Sequence, residues 1–147
     1  ATRLMADDFK LRHVPELMNP VLIPRGFPAE YTTEAAIHES RTKVKRAYEE
    51  VSRDADLVVI EGTGNAAVGS TLGLANATLA ARFGSPVVLV ASGGITDPIE
   101  QVLLNRAMFQ AEGTDLVKTV TPPTMTLRLI TLAPTFTTAT FSLGGSV

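Results

Sequence analysis

Residues 57–64 read Leu-Val-Val-Ile-Glu-Gly-Thr-Gly, and this stretch decides the fold. Four consecutive aliphatic residues predict a strand that is buried on both faces, which is typical of a parallel sheet covered by helices. A second apolar run at 87–90 predicts another strand of the same kind. We therefore predict that 57–60 and 87–90 are adjacent or near-adjacent parallel strands in the core.

A helix is predicted directly before the first strand. Ile37, Val44 and Val51 recur every seven residues, which indicates one buried stripe on an amphipathic helix. Thr32 or Thr33 is suited to cap its amino terminus, because a threonine hydroxyl accepts a hydrogen bond from a free amide of the first turn.

Two further helices are predicted on either side of the second strand. Residues 72–83 form one that ends at Gly84, and residues 99–110 form another that is closed by Gly113. This alternation predicts an α/β fold with three layers, in which helices cover both faces of a parallel sheet built from right-handed βαβ units.

The composition changes after Lys118. Residues 119–147 contain nine threonines and a single charged residue, Arg128. We divide the chain into a truncated α/β domain at 1–118 and an irregular Thr-rich tail at 119–147, which either adds an edge strand or is foreign to the domain. The pattern also predicts that one strand before residue 1 and one after Gly113 are lost.

Composition excludes several classes of function. The formal net charge of −2 gives no electrostatic basis for binding nucleic acid. The chain has no cysteine, which excludes disulfides and thiolate zinc sites and fits a cytoplasmic location. No apolar run reaches the roughly 18–20 residues that a membrane helix needs.

The candidate site is the glycine-rich loop after the first strand. Ligands of open parallel sheets bind outside the carboxyl ends of the strands, and Glu61 stands at such an end. A carboxylate beside glycine amides suits a magnesium–phosphate group, because Mg²⁺ and Ca²⁺ take oxygen ligands. The residues expected to contact a small anionic ligand are Gly62, Thr63, Gly64, Gly69 and Ser70.

Residues 55–113, ADLVVIEGTGNAAVGSTLGLANATLAARFGSPVVLVASGGITDPIEQVLLNRAMFQAEG, resemble the central section of the dethiobiotin synthetase-like branch of P-loop ATPases, which includes cobyrinic acid a,c-diamide synthase relatives. The matching motifs are Glu61–Gly64, Val68–Ser70 and Asn76-Ala77, and the resemblance covers residues 7–116. It implies a P-loop-type α/β fold in which Glu61 helps to hold Mg²⁺ or a substrate group, with Asp7 or Asp8 as a second carboxylate.

The chain departs from that family at several positions. Its 147 residues contain no G-x-x-x-x-G-K-[ST] loop, and Asn65 stands where the family usually has histidine. From Thr119 onward the resemblance stops. Without the P-loop lysine and its ring of amides we expect ATP to bind no better than about millimolar. The chain is then a degenerate or truncated nucleotide-binding domain.

Two other functions stay open from the residues alone. Glu61 with Asp7, Asp8 or Asp97 would allow a metal-assisted hydrolase of a small ester or lactone. A triad of Ser70, His38 and an aspartate is a weaker variant of that idea.

The second alternative is a non-catalytic protein that associates with itself. Sheet edges left open by lost strands favour a homo-oligomer, most simply a two-fold dimer, to which residues 124–143 contribute.

Overall fold

The computed structural model describes residues 7–8, 15–23, 29–91, 97–114, 116–120, 128–133 and 138–142. The helices are α1 (Pro15–Met18), α2 (Glu34–Ser52), α3 (Asn76–Phe83) and α4 (Asp97–Ala111), with 3-10 turns at Ala29–Thr32 and Ser70–Leu72. The strands are β1 (Leu57–Gly62), β2 (Val87–Val90), β3 (Leu116–Val120), β4 (Arg128–Ala133) and β5 (Thr138–Ser142). The mixture of helix and strand confirms the α/β class.

The five strands form one sheet in the order β3-β2-β4-β1-β5. β1 is parallel to β5, and β2 is parallel to β3. β4 lies between β1 and β2 and is antiparallel to both. The two apolar runs therefore run in the same direction, one strand apart, as predicted. The sheet itself is mixed, so a purely parallel three-layer arrangement is not what these strands form.

The reason for the mixed sheet lies in the Thr-rich tail. β4 and β5 both come from it, and Arg128–Ala133 supplies the strand that hydrogen-bonds to both β1 and β2. The tail was expected to add one strand at an edge. β5 does so, whereas β4 lies inside the sheet, between β1 and β2.

A strand does follow Gly113, contrary to the expectation that this element is lost. β3 pairs with β2 from Val87↔Leu116 to Val90↔Val120, with a register shift between Val87 and Val88. β3 also runs across the expected domain boundary at Lys118. The division at 118 stays a prediction.

Helix α2 buries the predicted stripe. The Thr33 hydroxyl caps it by accepting a hydrogen bond from the Ala36 amide at 3.3 Å. Val44 and Val51 are buried in a cluster with Val58 and Ile60 of β1, and Ile37 packs against this cluster. A helix with one apolar stripe thus covers one face of β1, as its periodicity predicts.

A second cluster lies between α3, α4 and β2. It contains Ala77 and Ala80 of α3, Val87 and Leu89 of β2, and Phe109 of α4, which is fully buried. The small alanines let α3 approach closely, and Phe109 fills the space that they leave.

Within the described residues, no helix is long and apolar enough to cross a membrane.

Candidate functional site

The predicted helix at 72–83 is divided in two. A 3-10 turn covers Ser70–Leu72, and α3 begins only at Asn76. Gly73 between them has φ of 59°, a left-handed conformation that favours glycine and interrupts a right-handed helix. The segment from Thr63 to Ala75 is therefore a long loop between β1 and α3, and hydrogen bonds within it and from side chains outside it determine its shape.

Asn76 holds this loop from the α3 side. Its amide nitrogen donates to the carbonyl of Thr63 at 2.9 Å and to the carbonyl of Asn65 at 2.7 Å. The residue is 4% exposed, so both hydrogen bonds lie away from water. Asn76 is part of the Asn-Ala motif of the sequence, and its position at the start of α3 explains why an amide donor stands there.

Asn105 holds the same loop from the α4 side. Its side-chain oxygen accepts from the Ala66 amide at 2.6 Å, while its own NH₂ donates to the carbonyl of Gln101 at 2.7 Å. Both Asn105 and Ala66 are buried. This role was not predictable from the sequence, because a single asparagine inside a helix has no local pattern and its partner is 39 residues away.

Glu61 is the fifth of six residues in β1 and is half-buried. In register it lies opposite Ile130 of β4 and Ser142 of β5. Gly62 ends the strand and is buried, and Thr63 follows with its carbonyl bonded to Asn76. The carboxylate thus stands at the carboxyl end of β1, as predicted, and the backbone just beyond it is fixed.

The loop uses most of its own amides internally. Backbone N–H groups of Val68 and Ser70 donate to the carbonyls of Asn65 and Ala67, and those of Leu72 and Leu74 donate to the carbonyl of Gly69. The Ala67 amide donates to the Asn65 side chain at 3.0 Å. An anion cradle needs N–H groups that point to a ligand. These amides are already bonded, so this part of the loop is not such a cradle.

Gly64, Gly69, Ser70 and Thr71 have the glycine spacing of a P-loop, with serine in place of lysine. The geometry does not follow that likeness. The Ser70 hydroxyl is exposed and donates to the carbonyl of Ala67, and its amide bonds to the same oxygen. Gly69 is required for another reason. Its φ is 94°, and a Cβ at this position would collide with the carbonyl of Leu74.

A cleft of about 570 Å³ lies between this loop and α4. Gly64, Asn65 and Ala67 line one side, and Gln101 and Leu104 line the other. Its volume is within the range of small-molecule sites. Gly64 and Asn65 are exposed here, so the start of the loop is open to a ligand.

The other predicted carboxylates are Asp7, Asp8 and Asp97. Asp7 and Asp8 are exposed on a short helical stretch. Among the described residues, no group of three or more His, Asp or Glu side chains is arranged to hold a metal ion. Asp97 begins α4, and residues 92–96 before it lie outside the described residues.

His38 lies on α2 and lines a groove with Arg41 and Arg82. Ser70 lines none of that groove, and its hydroxyl is bonded to Ala67. The structure thus gives no support to a triad of Ser70 and His38.

Helices packed on a sheet, with a carboxylate at the end of β1 and a loop after it that Asn76 and Asn105 hold, form an α/β domain. The sequence profile of the AAA domain family matches residues 2–122. The chain belongs to this family of P-loop NTPase-type domains and is ATPase-like. No curated protein and no solved structure matches the chain. The matched range ends before β4, so the strand between β1 and β2 lies outside it.

Proposed function

We propose that this chain is a nucleotide-binding domain of the dethiobiotin synthetase-like type, in which Glu61 holds a divalent cation beside a small anionic ligand. The observation that carries the proposal is the position of Glu61 at the carboxyl end of β1, next to a loop fixed by Asn76 and Asn105. Membership of the AAA domain family supports a ligand of the Mg–nucleotide kind.

The donor set at Glu61 fits a cation that takes few protein ligands. Mg²⁺ commonly binds through one or two carboxylates and keeps water and phosphate oxygens as its other ligands. Glu61 is the one carboxylate at the end of β1, and Asp7 or Asp8 is the proposed second. When bound, the cation would neutralise the negative charge of the ligand.

The loop supports a weak phosphate site only. In the predicted ligand-binding set, the Ser70 amide is bonded within the protein and Gly62 is buried, whereas Thr63 is half-buried and Gly64 is exposed at the start of the loop. The 147 residues also lack the P-loop lysine. We propose that Glu61 and the start of the loop contact the cation and its ligand, while tight ATP binding needs a P-loop.

The cation site is tested with Mn²⁺, which broadens the NMR signals of nearby amides. Addition of Mn²⁺ to the isotope-labelled chain should broaden the amide signals of Gly62 and Thr63, and Mg²⁺ should compete. Glu61→Gln should abolish this selective broadening and keep the fold. Glu100→Gln is the matched control, because Glu100 is an exposed carboxylate on α4. Unchanged broadening in Glu61→Gln would mean that Glu61 is structural.

ATP binding is tested by calorimetry on the same chain. We expect a Kd of about 1 mM or weaker, which corresponds to about 4 kcal/mol of binding free energy. A micromolar Kd would show that another loop replaces the P-loop. The proposed role of Thr63 and Gly64 at the start of the loop would then be wrong.

A further inference from the structure

A groove separate from the loop at 63–75 lies between α2 and α3. We call it the basic groove and define it by His38, Arg41, Lys45 and Tyr48 of α2 and by Arg82 and Phe83 of α3. Its volume is about 480 Å³, within the range of small-molecule sites. It shares no lining residue with the cleft beside Gly64.

The basic groove concentrates positive charge in a chain whose formal net charge is −2. Arg41, Lys45 and Arg82 line it, and Glu49 is the acidic residue among its lining. Lys45 approaches Glu49 at 3.7 Å, near the limit for an ion pair. Within the described part of the chain, neither Arg41 nor Arg82 forms a salt bridge. Two guanidinium groups are thus left to bind an anion.

The guanidinium of Arg41 lies close to the backbone at Gly73. Gly73 lies under its guanidinium, and a Cβ at Gly73 would collide with that group. Gly73 also has a left-handed φ of 59°, a conformation that favours glycine. A long side chain that rests on a fixed turn loses less freedom on binding than one that extends into water.

Part of the lining of the basic groove is apolar and aromatic. The rings of Tyr48 and Phe83 are stacked, with centroids 3.9 Å apart and planes 12° apart. Val44 and Leu79, both buried, also line the groove. A ring that contacts these side chains would remove apolar surface from water, while the cations that line the same groove hold a charged group.

We propose that the basic groove binds a small molecule in which a phosphate group is attached to a flat apolar ring. Guanidinium groups bind phosphate through two parallel hydrogen bonds, which favours this anion where two arginines line one groove. The stacked pair of Tyr48 and Phe83 provides the surface for the ring. This site is independent of the cation proposed at Glu61.

Phenyl phosphate is the probe, and NMR shifts of the full chain report its site. We expect a Kd of about 1 mM or below, with shifts at α2 and α3 residues of the basic groove. Arg41→Ala and Arg82→Ala should each weaken binding by about tenfold or more, because each removes charge-assisted hydrogen bonds. Lys43→Ala is the control and should leave the Kd unchanged, since Lys43 pairs with Glu39 at 2.6 Å.

Competitor ligands test the proposal on the unaltered chain. Neutral benzyl alcohol and inorganic phosphate should each bind at least about tenfold more weakly than phenyl phosphate, because each offers half of the recognised chemistry. Equal binding of either would overturn the combined assignment. So would tighter binding of a glutamate-rich peptide, equal weakening by Lys43→Ala, or the absence of shifts at the groove.

Discussion

The side chain of Asn105, inside α4, accepts a hydrogen bond of 2.6 Å from the backbone amide of Ala66, in the loop after β1. Both residues are buried, at 5% and 2% exposure. The asparagine NH₂ is also used, because it donates to the carbonyl of Gln101 one turn earlier. This contact couples the position of α4 to the shape of the loop that follows Glu61.

Asn105→Ala should therefore destabilise the protein. The substitution leaves the Ala66 amide buried without its acceptor, which costs about 1–3 kcal/mol. Urea unfolding followed by circular dichroism measures the change in the free energy of unfolding. Gln110→Ala is the control on the exposed side of the same helix, where we expect a change within about 0.5 kcal/mol. Equal effects of the two substitutions would contradict a stabilising role for the hydrogen bond between Ala66 and Asn105.

Asn76→Asp should destabilise the protein by about 2 kcal/mol or more, although it keeps the size of the side chain. The carbonyls of Thr63 and Asn65 would lose their donor and face a carboxylate oxygen. Thr78→Ala is the comparison, because it removes an exposed hydrogen bond to Glu112 and should cost less than about 1 kcal/mol. An Asn76→Asp protein as stable as the unaltered chain would show that the loop does not depend on this amide.

Features with a local cause were predictable from the sequence. The Thr33 cap and the end of α3 at Gly84, with φ of 58°, follow from side-chain and glycine conformational preferences. β1 and β2 were recognisable because buried strands are continuous apolar runs. The prediction that 57–60 and 87–90 run in the same direction, near each other, is confirmed.

Features with a distant cause were not predictable. β4 occupies the space between β1 and β2, yet its own residues carry no mark of that partnership. Asn105 has the same difficulty, since its partner is far away in the chain. The break at Gly73 was missed because apolar residues at 72, 74, 75 and 77 continue a helical pattern, whereas the conformation of Gly73 interrupts it.

Gly69→Ala should be more damaging than Gly84→Ala. Both glycines have positive φ, so each alanine substitution destabilises the fold by about 1–2 kcal/mol through its left-handed backbone conformation. At Gly84 a Cβ meets nothing within 4 Å, whereas at Gly69 it meets the carbonyl of Leu74. We expect Gly69→Ala to lower the free energy of unfolding by at least about 1 kcal/mol more than Gly84→Ala. Equal decreases in the free energy of unfolding, measured with urea, would show that the backbone at Leu74 shifts to accommodate the added Cβ.

The pKa of Glu39 should lie below the ordinary value for glutamate. A hydrogen bond from Lys43 and the charge of that ammonium both lower it, and both groups are exposed. Because the folded pKa is lowered, the pair stabilises the fold above the ordinary glutamate pKa, and this contribution is lost as pH falls through the folded pKa. Lys43→Met should raise the pKa of Glu39 in an NMR titration, and added salt should act in the same direction.

Lys45→Met provides the comparison for that titration. Lys45 pairs with Glu49, four residues later in the opposite order, at 3.7 Å. Lys45→Met should leave the pKa of Glu39 unchanged, because Lys45 does not contribute to the lowering of that pKa. A Glu39 pKa that does not respond to Lys43→Met would mean that the ion pair does not form in solution.

Self-association is the last prediction, and it concerns the two edges of the sheet. The strand order leaves β3 and β5 outermost. β3 carries Lys118, whereas β5, Thr138–Ser142, contains no charged residue and no proline. Charges and prolines on an edge strand oppose pairing with another chain, so β5 is the less protected edge. We expect a two-fold dimer in which β5 pairs with the same strand of a second copy.

Thr140→Lys tests this arrangement by placing a charge in the middle of β5. Light scattering and analytical ultracentrifugation should show a dimer for the unaltered chain and a monomer for Thr140→Lys, because a two-fold interface brings the new charge together with its copy. Thr119→Lys on β3 is the matched control and should remain dimeric. A monomer at high concentration without any substitution would refute the prediction, and a Thr140→Lys dimer would place the interface on a surface other than β5.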